Sequence, residues 1–463
     1  MSGFTILQPS VKPKRVVLVD LGYPYGKKIY MSGSVVAVAA QLMAVGHTVD
    51  IVDFNIDHPS NPRVHDLFSQ ADIIGASVMG SPGIPGSIKF AQQTSRKYPR
   101  VKVVLGGQVV SHFSKEQFRT VFGSNALQVA NEDDHAQLFG TPPSAYEISY
   151  QPVWEHMGDE RLQQYLEHEF ALVLSQGCIY KCKWCSAQKG QKETFRDLAF
   201  FRNDLQFLLE KARDLGIPKL ECYASDLDLF QTHKLIFQYL EAMTEAQEKT
   251  GVQLKTRCLT CMNTFLAASR QHTDFPELVR RSGLWCVGFG VDGTSKEEWD
   301  EEGKTQNKME DIEAAYNLAN ELGLRSEVLT VMGQHSDKLS LRLQQTIVQF
   351  SWFVERWPNT ILRPYVYREI LPGNDGWKEN HEVVEKLIQD PKQFYNLDIC
   401  GFANATTHPF WWQRWRVNVA YLYVILRYAP SGRCATSPLL PQGSGGLIGW
   451  LAKIINRSMP YDR

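Results

Sequence analysis

Two stretches of the chain repeat one pattern: a short, continuous apolar run followed by an amphipathic helical segment. Between residues 15 and 140 the apolar runs are 16–20, 48–53, 72–77, 102–105 and 126–130, separated by helical stretches such as 33–45 and 87–96. From Phe170 the pattern resumes, with runs at 170–174, 219–223, 252–257, 284–290, 324–331 and 360–366. The helical stretches between these lie near 198–215, 232–249, 276–282, 308–322 and 339–353. A strand that is apolar along its whole length is buried on both faces, as in a parallel sheet covered by its crossover helices.

The chain is therefore α/β twice over. Residues 1–140 predict an open, Rossmann-like (flavodoxin-like) domain, and residues 169–366 predict a partial (βα)6 TIM-like barrel, since its six βα units run without a reversal. Residues 141–168, with Pro142, Pro143 and Pro152, read as an ordered linker between the two. Residues 367–463 read as a small, mostly helical C-terminal segment. It carries an aromatic-rich stretch, His408 to Trp415, that leads into a helix ending near Arg427, and a Gly-, Ser- and Pro-rich tail at 431–446 that is expected to be poorly ordered. With 49 basic and 50 acidic residues, the charge balance offers nothing to nucleic acid or to an anionic membrane. The N-terminus has no apolar signal core and no apolar run reaches the length of a membrane span, so the expectation is a cytoplasmic protein. Nine cysteines in 463 residues are too sparse for a disulfide scaffold.

Three of those cysteines stand in the stretch Ser175-Gln-Gly-Cys-Ile-Tyr-Lys-Cys-Lys-Trp-Cys185, spaced C-x3-C-x2-C directly after the first barrel strand. Three thiolates on one tight loop, Cys178, Cys182 and Cys185, suit three irons of a cubic cluster and leave the fourth open for chemistry. The alternative is a zinc knuckle that lacks a partner. Cys258 and Cys261, with Cys222 and Cys286 on neighbouring strands, offer a second cluster in principle, but the preferred reading makes them small buried hydrophobes. In the first domain the strand ends carry small-residue loops that let a bulky ligand approach the backbone: Leu21 and Gly22; Ser77, Val78, Met79, Gly80 and Ser81; Gly106, Gly107, Gln108 and Val109. None forms a G-x-G-x-x-G turn opening a helix after the first strand, which argues against a nicotinamide dinucleotide.

The cysteine loop resembles the signature loop of the radical S-adenosylmethionine (radical SAM) enzymes. The first domain is similar to the cobalamin-binding domain found upstream of many radical SAM barrels. It shares the Pro24 loop, Gly46-His47-Thr48-Val49, Asp53, the run Asp72 to Ser77, the run Val104 to Gly107, and Asn131-Glu132 where that family usually has Gly-Glu. The resemblance implies a [4Fe-4S] cluster on Cys178, Cys182 and Cys185, SAM on its open iron, and cobalamin held between the domains by the strand-end loops, Asn131 and Glu132. It places Trp184 near the adenine and offers Ser225 or Asp226 to the SAM amino group. Arg257, read as the end of the third barrel strand, would take the SAM carboxylate, and Asp292 stands where relatives often show a glutamate. Each of these polar residues has an alternative role as a loop cap or ion-pair partner.

Many cobalamin proteins supply a cobalt-binding histidine from an Asp-x-His-x-x-Gly loop, and the corresponding stretch here, Asp20 to Gly26, has none. The expectation is a cobalt without a histidine ligand, its lower face covered by the loop near Val78 and Met79 or by water. The implied activity is a cobalamin-dependent radical SAM methyltransferase that moves a methyl from SAM via methylcobalamin to an unactivated carbon, or phosphorus, of a small molecule or peptide. Its electrons would come from an external one-electron reductant such as flavodoxin or ferredoxin. Alternatives are a radical cyclisation or ring rearrangement without methyl transfer, and a cobalamin or redox sensor with a non-catalytic cluster. Trp411, Trp412 and Trp415 with Tyr421 and Tyr423 either stack on a planar substrate at the barrel mouth or, as helical aromatic stripes more often do, belong to the core.

Overall fold

The computed structural model describes residues 12–22, 29–187, 190–334, 338–397 and 402–435, so the expected Pro24 loop and the tail from residue 436 lie outside the described residues. The first sheet contains β1 (Arg15–Asp20), β2 (Thr48–Asp53), β3 (Ile73–Ser77), β4 (Lys102–Gly106) and β5 (Leu127–Gln128). They are all parallel, in the order 2-1-3-4-5. The order reverses between β1 and β3, which opens a crevice at the carboxyl ends, where such sheets hold their ligands. β5 is shorter than the apolar run 126–130 predicts. After one more backbone bond, Val129 N to Leu105 O at 2.9 Å, the chain turns. Asn131 then caps the helix Glu132–Phe139 by accepting from Asp134 N at 2.9 Å.

The second sheet follows the predicted order closely. β6 (Phe170–Leu172) leads into a hairpin of β7 (Ser175–Gln176) and β8 (Thr194–Phe195). β9 (Lys219–Ala224), β10 (Gln253–Thr260), β11 (Leu284–Gly290), β12 (Arg325–Met332) and β13 (Thr360–Val366) then add in sequence, each parallel to the last, beside β6. Two details depart from expectation. β10 continues three residues beyond Arg257, and a helix at Met262–Gln271 precedes the one at Phe275–Arg281. Both edges of this open sheet are covered. Ala171 N donates to Met31 O (3.3 Å) at the β6 edge, and Leu362 of β13 exchanges backbone bonds with Arg433 and Ala435 at 2.9 Å. Blocked edges of this kind prevent sheet-to-sheet association.

Two cores hold the molecule together, and neither respects the boundaries read from the sequence. One runs from the helix Gly33–Ala44 (Val35, Val36, Ala39) through Trp154, Leu162 and Tyr165, on helices Gln151–Met157 and Asp159–Leu166, into the barrel. The other lies on the opposite face of the first sheet. There Val17, Ile74 and Phe113 meet Ile370, Trp377 and Phe394, which come from the chain after the last barrel strand. Trp377 and Phe113 pack edge to face, ring centroids 5.5 Å apart. The region after residue 366 therefore divides. Residues 370–397 complete the first domain, while the helix Trp411–Tyr428 packs on the barrel helix Leu339–Arg356 and on β13.

Candidate functional site

The cysteine loop closes the β7–β8 hairpin. Gly177, directly before Cys178, has φ +100°, and a Cβ there would lie 2.9 Å from Lys192 O, so only glycine permits the turn. Within the loop Gln191 N donates to Cys178 O (3.0 Å), Gly190 N to Tyr180 O (2.9 Å) and Cys185 N to Cys182 O (3.2 Å). From outside, Ile179 N donates to the Gln231 side chain (2.9 Å) and Lys183 N to Glu302 O (2.9 Å). The three thiols are half-buried, and no described cysteine forms a disulfide. Burial pushes the Cys178 thiol up to about 11, with the neighbouring Asp228, Cys185 and Cys182 adding to the rise. Bound metal reverses that balance by stabilising the thiolate.

Among the described residues no three His, Cys, Asp or Glu side chains converge on a single ion. A cubic cluster, which takes one iron per thiolate at separate corners, requires no such convergence.

Beside the loop, at the top of β9, sits a buried acidic group. Ser175 Oγ lies 2.7 Å from Glu193 Oε1 and in hydrogen-bond contact with Asp226 Oδ1. Burial raises the Asp226 carboxyl to about 7, and the nearby Glu193 adds to the effect. Asp226 Oδ2 and Asp228 Oδ2 are buried without a hydrogen-bond partner among the described residues. An unsatisfied buried carboxylate oxygen is costly unless a donor reaches it, so this position suits an N–H donor of a ligand. Asp228 is fixed by Thr260 Oγ1 (2.6 Å), Thr264 Oγ1 (2.9 Å) and Cys261 N (3.1 Å).

Other expected contacts fall elsewhere. Arg257 is not at a strand end. It stands level with Tyr223 and Ala171 inside the sheet, pairs through two guanidinium nitrogens with Glu169 (Nη2 to Oε2, 3.1 Å), and stacks 4.1 Å over the Tyr223 ring. The positions at the end of that strand are Thr260 and Cys261. Asp292, with φ +42°, is buried, ion-paired with Lys304, and accepts from Val331 N at 3.1 Å. Lys304 Nζ also lies 5.7 Å from the centre of the Trp184 ring. Cys222, Cys258 and Cys286 are buried in the barrel as expected, whereas Cys261 is half-buried and faces the cysteine loop. Tyr421 is core, but Trp411 and Trp415 are 71% and 62% exposed and do not line the cavity described next.

A cavity of about 1070 Å³ separates the two sheets. Its walls include Ser34, Gly107 and Asn131 from the first domain and Ser175, Gly177 and Ser225 from the barrel. Pockets for drug-sized ligands run to about 1000 Å³, and this one stands at the upper end of that range. Gly107 has φ +97°, and a Cβ there would meet Ser77 Oγ at 2.8 Å, so the wall at this point is bare backbone. Gln108, Asn131 and Glu132 also line it. Leu21, Gly22, Gly106, Val109 and Ser77 to Ser81 do not, although Met79 is exposed beside Ser34 (Oγ to Sδ, 3.8 Å). Sequence reading missed Ser175, Glu193, Lys304 and Gln306. Ser175 was within view beside the glycine and cysteines, but nothing local marks the other three.

The B12 binding domain family model matches residues 31–126. Two solved structures of the cobalamin-dependent S-adenosylmethionine radical enzyme OxsB, one with aqua-cobalamin and one with aqua-cobalamin and S-adenosylmethionine, are similar to this chain at TM-score 0.56 and 17% identity. The match covers 83% of this chain and 56% of theirs, so the chain spans little more than half the length of these relatives. None of the curated proteins matches in sequence. Residues 31–126 thus match the B12 binding domain family, and the chain, with its two parallel sheets, shares the fold of the OxsB structures.

Proposed function

We propose that this protein is a cobalamin-dependent radical SAM methyltransferase acting on an unactivated carbon, or phosphorus, of a small molecule or peptide. The observation that carries the reading is the cavity. It is bounded on one side by the carboxyl ends of β4 and β5 of the first sheet and on the other by the flank of a three-cysteine loop and the top of β9. Cluster and SAM, when bound, supply a radical that abstracts hydrogen, and cobalamin supplies a methyl carrier. The chain's own residues hold and orient these groups. Cys178, Cys182 and Cys185 would hold the cluster, Asp226 Oδ2 would accept a hydrogen bond from the SAM amino group, and Trp184 would pack near the adenine. The bare backbone at Gly107, with Gln108, Asn131 and Glu132, meets the corrin periphery. Arg257 takes no part in SAM binding, because Glu169 already occupies its guanidinium. Electrons would come from a low-potential carrier such as flavodoxin or ferredoxin, and the location that goes with this reading is the cytoplasm. Among the described residues no helix is long and apolar enough to cross a membrane.

The test is anaerobic reconstitution with iron, sulfide and cobalamin, then incubation with reductant, candidate substrates and SAM carrying a deuterated methyl group. Methyl transfer gives S-adenosylhomocysteine, 5′-deoxyadenosine and a labelled product. A rearranged, unlabelled product with 5′-deoxyadenosine would assign cyclisation instead. Absence of both nucleosides across the substrates would leave a sensor.

A further inference from the structure

The segment after the helix Lys296–Glu301 passes directly behind the cysteine loop. Glu302 O accepts from Lys183 N, and Gly303 lies so close that a Cβ would meet Lys181 O at 3.2 Å. Three residues further on, Gln306 Nε2 lies 3.8 Å from Cys182 Sγ and 4.0 Å from Cys261 Sγ. Gln306 is 9% exposed, and its carbonyl oxygen has no hydrogen-bond partner among the described residues. A thiolate sulfur only accepts, so the amide must present its nitrogen to Cys182 once that sulfur is bound to iron. Hydrogen bonds to ligand sulfurs are among the factors that set the potential of an iron–sulfur cluster.

We propose that Gln306 is a positioning residue that sets the reduction potential of the cluster by donating an amide N–H to Cys182 Sγ. The inference rests on the reading of Cys178, Cys182 and Cys185 as the cluster ligands. Reduction adds one electron, supplied by an external one-electron donor, and part of the added negative charge falls on the sulfurs. An N–H aimed at one of them stabilises the reduced form more than the oxidised form, so it favours the state that a radical SAM reaction needs. Cys261 shares the same amide. It is a competing acceptor rather than a ligand, since it lies on a different element from the cysteine loop.

The experiment compares wild type, Gln306→Leu, Gln306→Glu and Cys261→Ala after anaerobic reconstitution. Iron and sulfide content is measured first, then the cluster midpoint by redox titration followed by electron paramagnetic resonance. All four proteins are expected to hold about four irons per chain, the content of a cubic cluster. In Gln306→Leu the equilibrium constant for reduction falls about tenfold, a midpoint about 59 mV lower for a one-electron couple. Gln306→Glu, which keeps the shape and replaces the donor with an anion, lowers it at least as far and serves if the leucine variant does not fold. Cys261→Ala gives no decrease. Full iron content with an unchanged midpoint in the Gln306 variants overturns the inference and leaves the cluster reading intact. Loss of iron in Cys261→Ala makes Cys261 a ligand and also overturns it. A wild type that assembles no cluster removes the cluster reading and the inference together.

Discussion

Asp226 combines near-complete burial with a carboxyl raised to about 7, mainly through desolvation. A carboxyl whose folded pKa exceeds its unfolded value, 3.8 here, binds its proton more tightly in the native state. Its contribution to stability is complete below about pH 4 and is lost as pH rises through about 7. Asp226→Asn is therefore expected to flatten the fall in Tm between pH 5 and pH 8 that the wild type shows without ligand. A wild-type Tm that rises over that range, with the variant parallel to it, would contradict the assignment. With SAM the dependence inverts. The carboxylate form is the stronger acceptor for the SAM amino group, so SAM affinity should increase from pH 6 to pH 8 in the wild type and lose that slope in Asp226→Asn, as read by calorimetry. Arg257 makes the opposite case, a charge already satisfied. Arg257→Ala should cost about 1.5–3 kcal/mol of stability, because Glu169 loses a charge-assisted pair, and leave SAM affinity unchanged. Removing Glu169 as well should restore part of the loss. A drop in SAM affinity in Arg257→Ala would return Arg257 to the site.

At the scale of elements, the strands were legible because a parallel sheet buries both faces of each strand and so writes apolar runs into the sequence. The runs 48–53, 284–290 and 360–366 correspond exactly in extent to β2, β11 and β13. β10 was cut short because Arg257 reads as a polar terminator, whereas the barrel interior satisfies its charge with Glu169 and lets the strand continue to Thr260. The cysteine loop was legible as a motif, but its supports were not. Gln306 and Gln231 arrive from segments far along the chain, and nothing in their local sequence marks the approach. Least visible was the return of residues 370–397 to the first domain, since short amphipathic helices such as His381–Gln389 carry an apolar face without naming its partner. That return is testable at Trp377. Trp377→Ala leaves a cavity against Phe113 and Phe394 and should cost about 3–5 kcal/mol. Thermal melts should show the loss, and weaker cobalamin binding should accompany it although Trp377 does not line the cavity. A variant with wild-type Tm would mean that the packing contributes little.

For the whole molecule, the two cores decide what a domain is here. The first sheet is covered on one face through the helix Gly33–Ala44, which packs onto Trp154 and Tyr165 and through them onto the barrel. Its other face carries Ile370, Leu371, Trp377, Leu387 and Phe394, contributed after the barrel is complete. A cut at residue 140 leaves the sheet's own helices in place but removes what packs outside them, Trp154, Tyr165 and the barrel on one side and residues 370–397 on the other. Each large apolar side chain that loses its burial forfeits about 1.5–3 kcal/mol, and several lose it together, whereas a domain's entire net stability is only about 5–15 kcal/mol. Residues 1–140 alone are therefore expected to give no cooperative thermal transition by circular dichroism and no cobalamin binding, despite containing every strand of the B12-binding sheet and the whole matched region 31–126. The full chain should melt in one transition that cobalamin shifts upward, because a ligand held between two sheets binds only when both are folded. A soluble, monomeric fragment 1–140 with a sharp melt, or two separated transitions in the full chain, would show that the sheets fold independently and that the shared cores are contacts rather than a single cooperative unit.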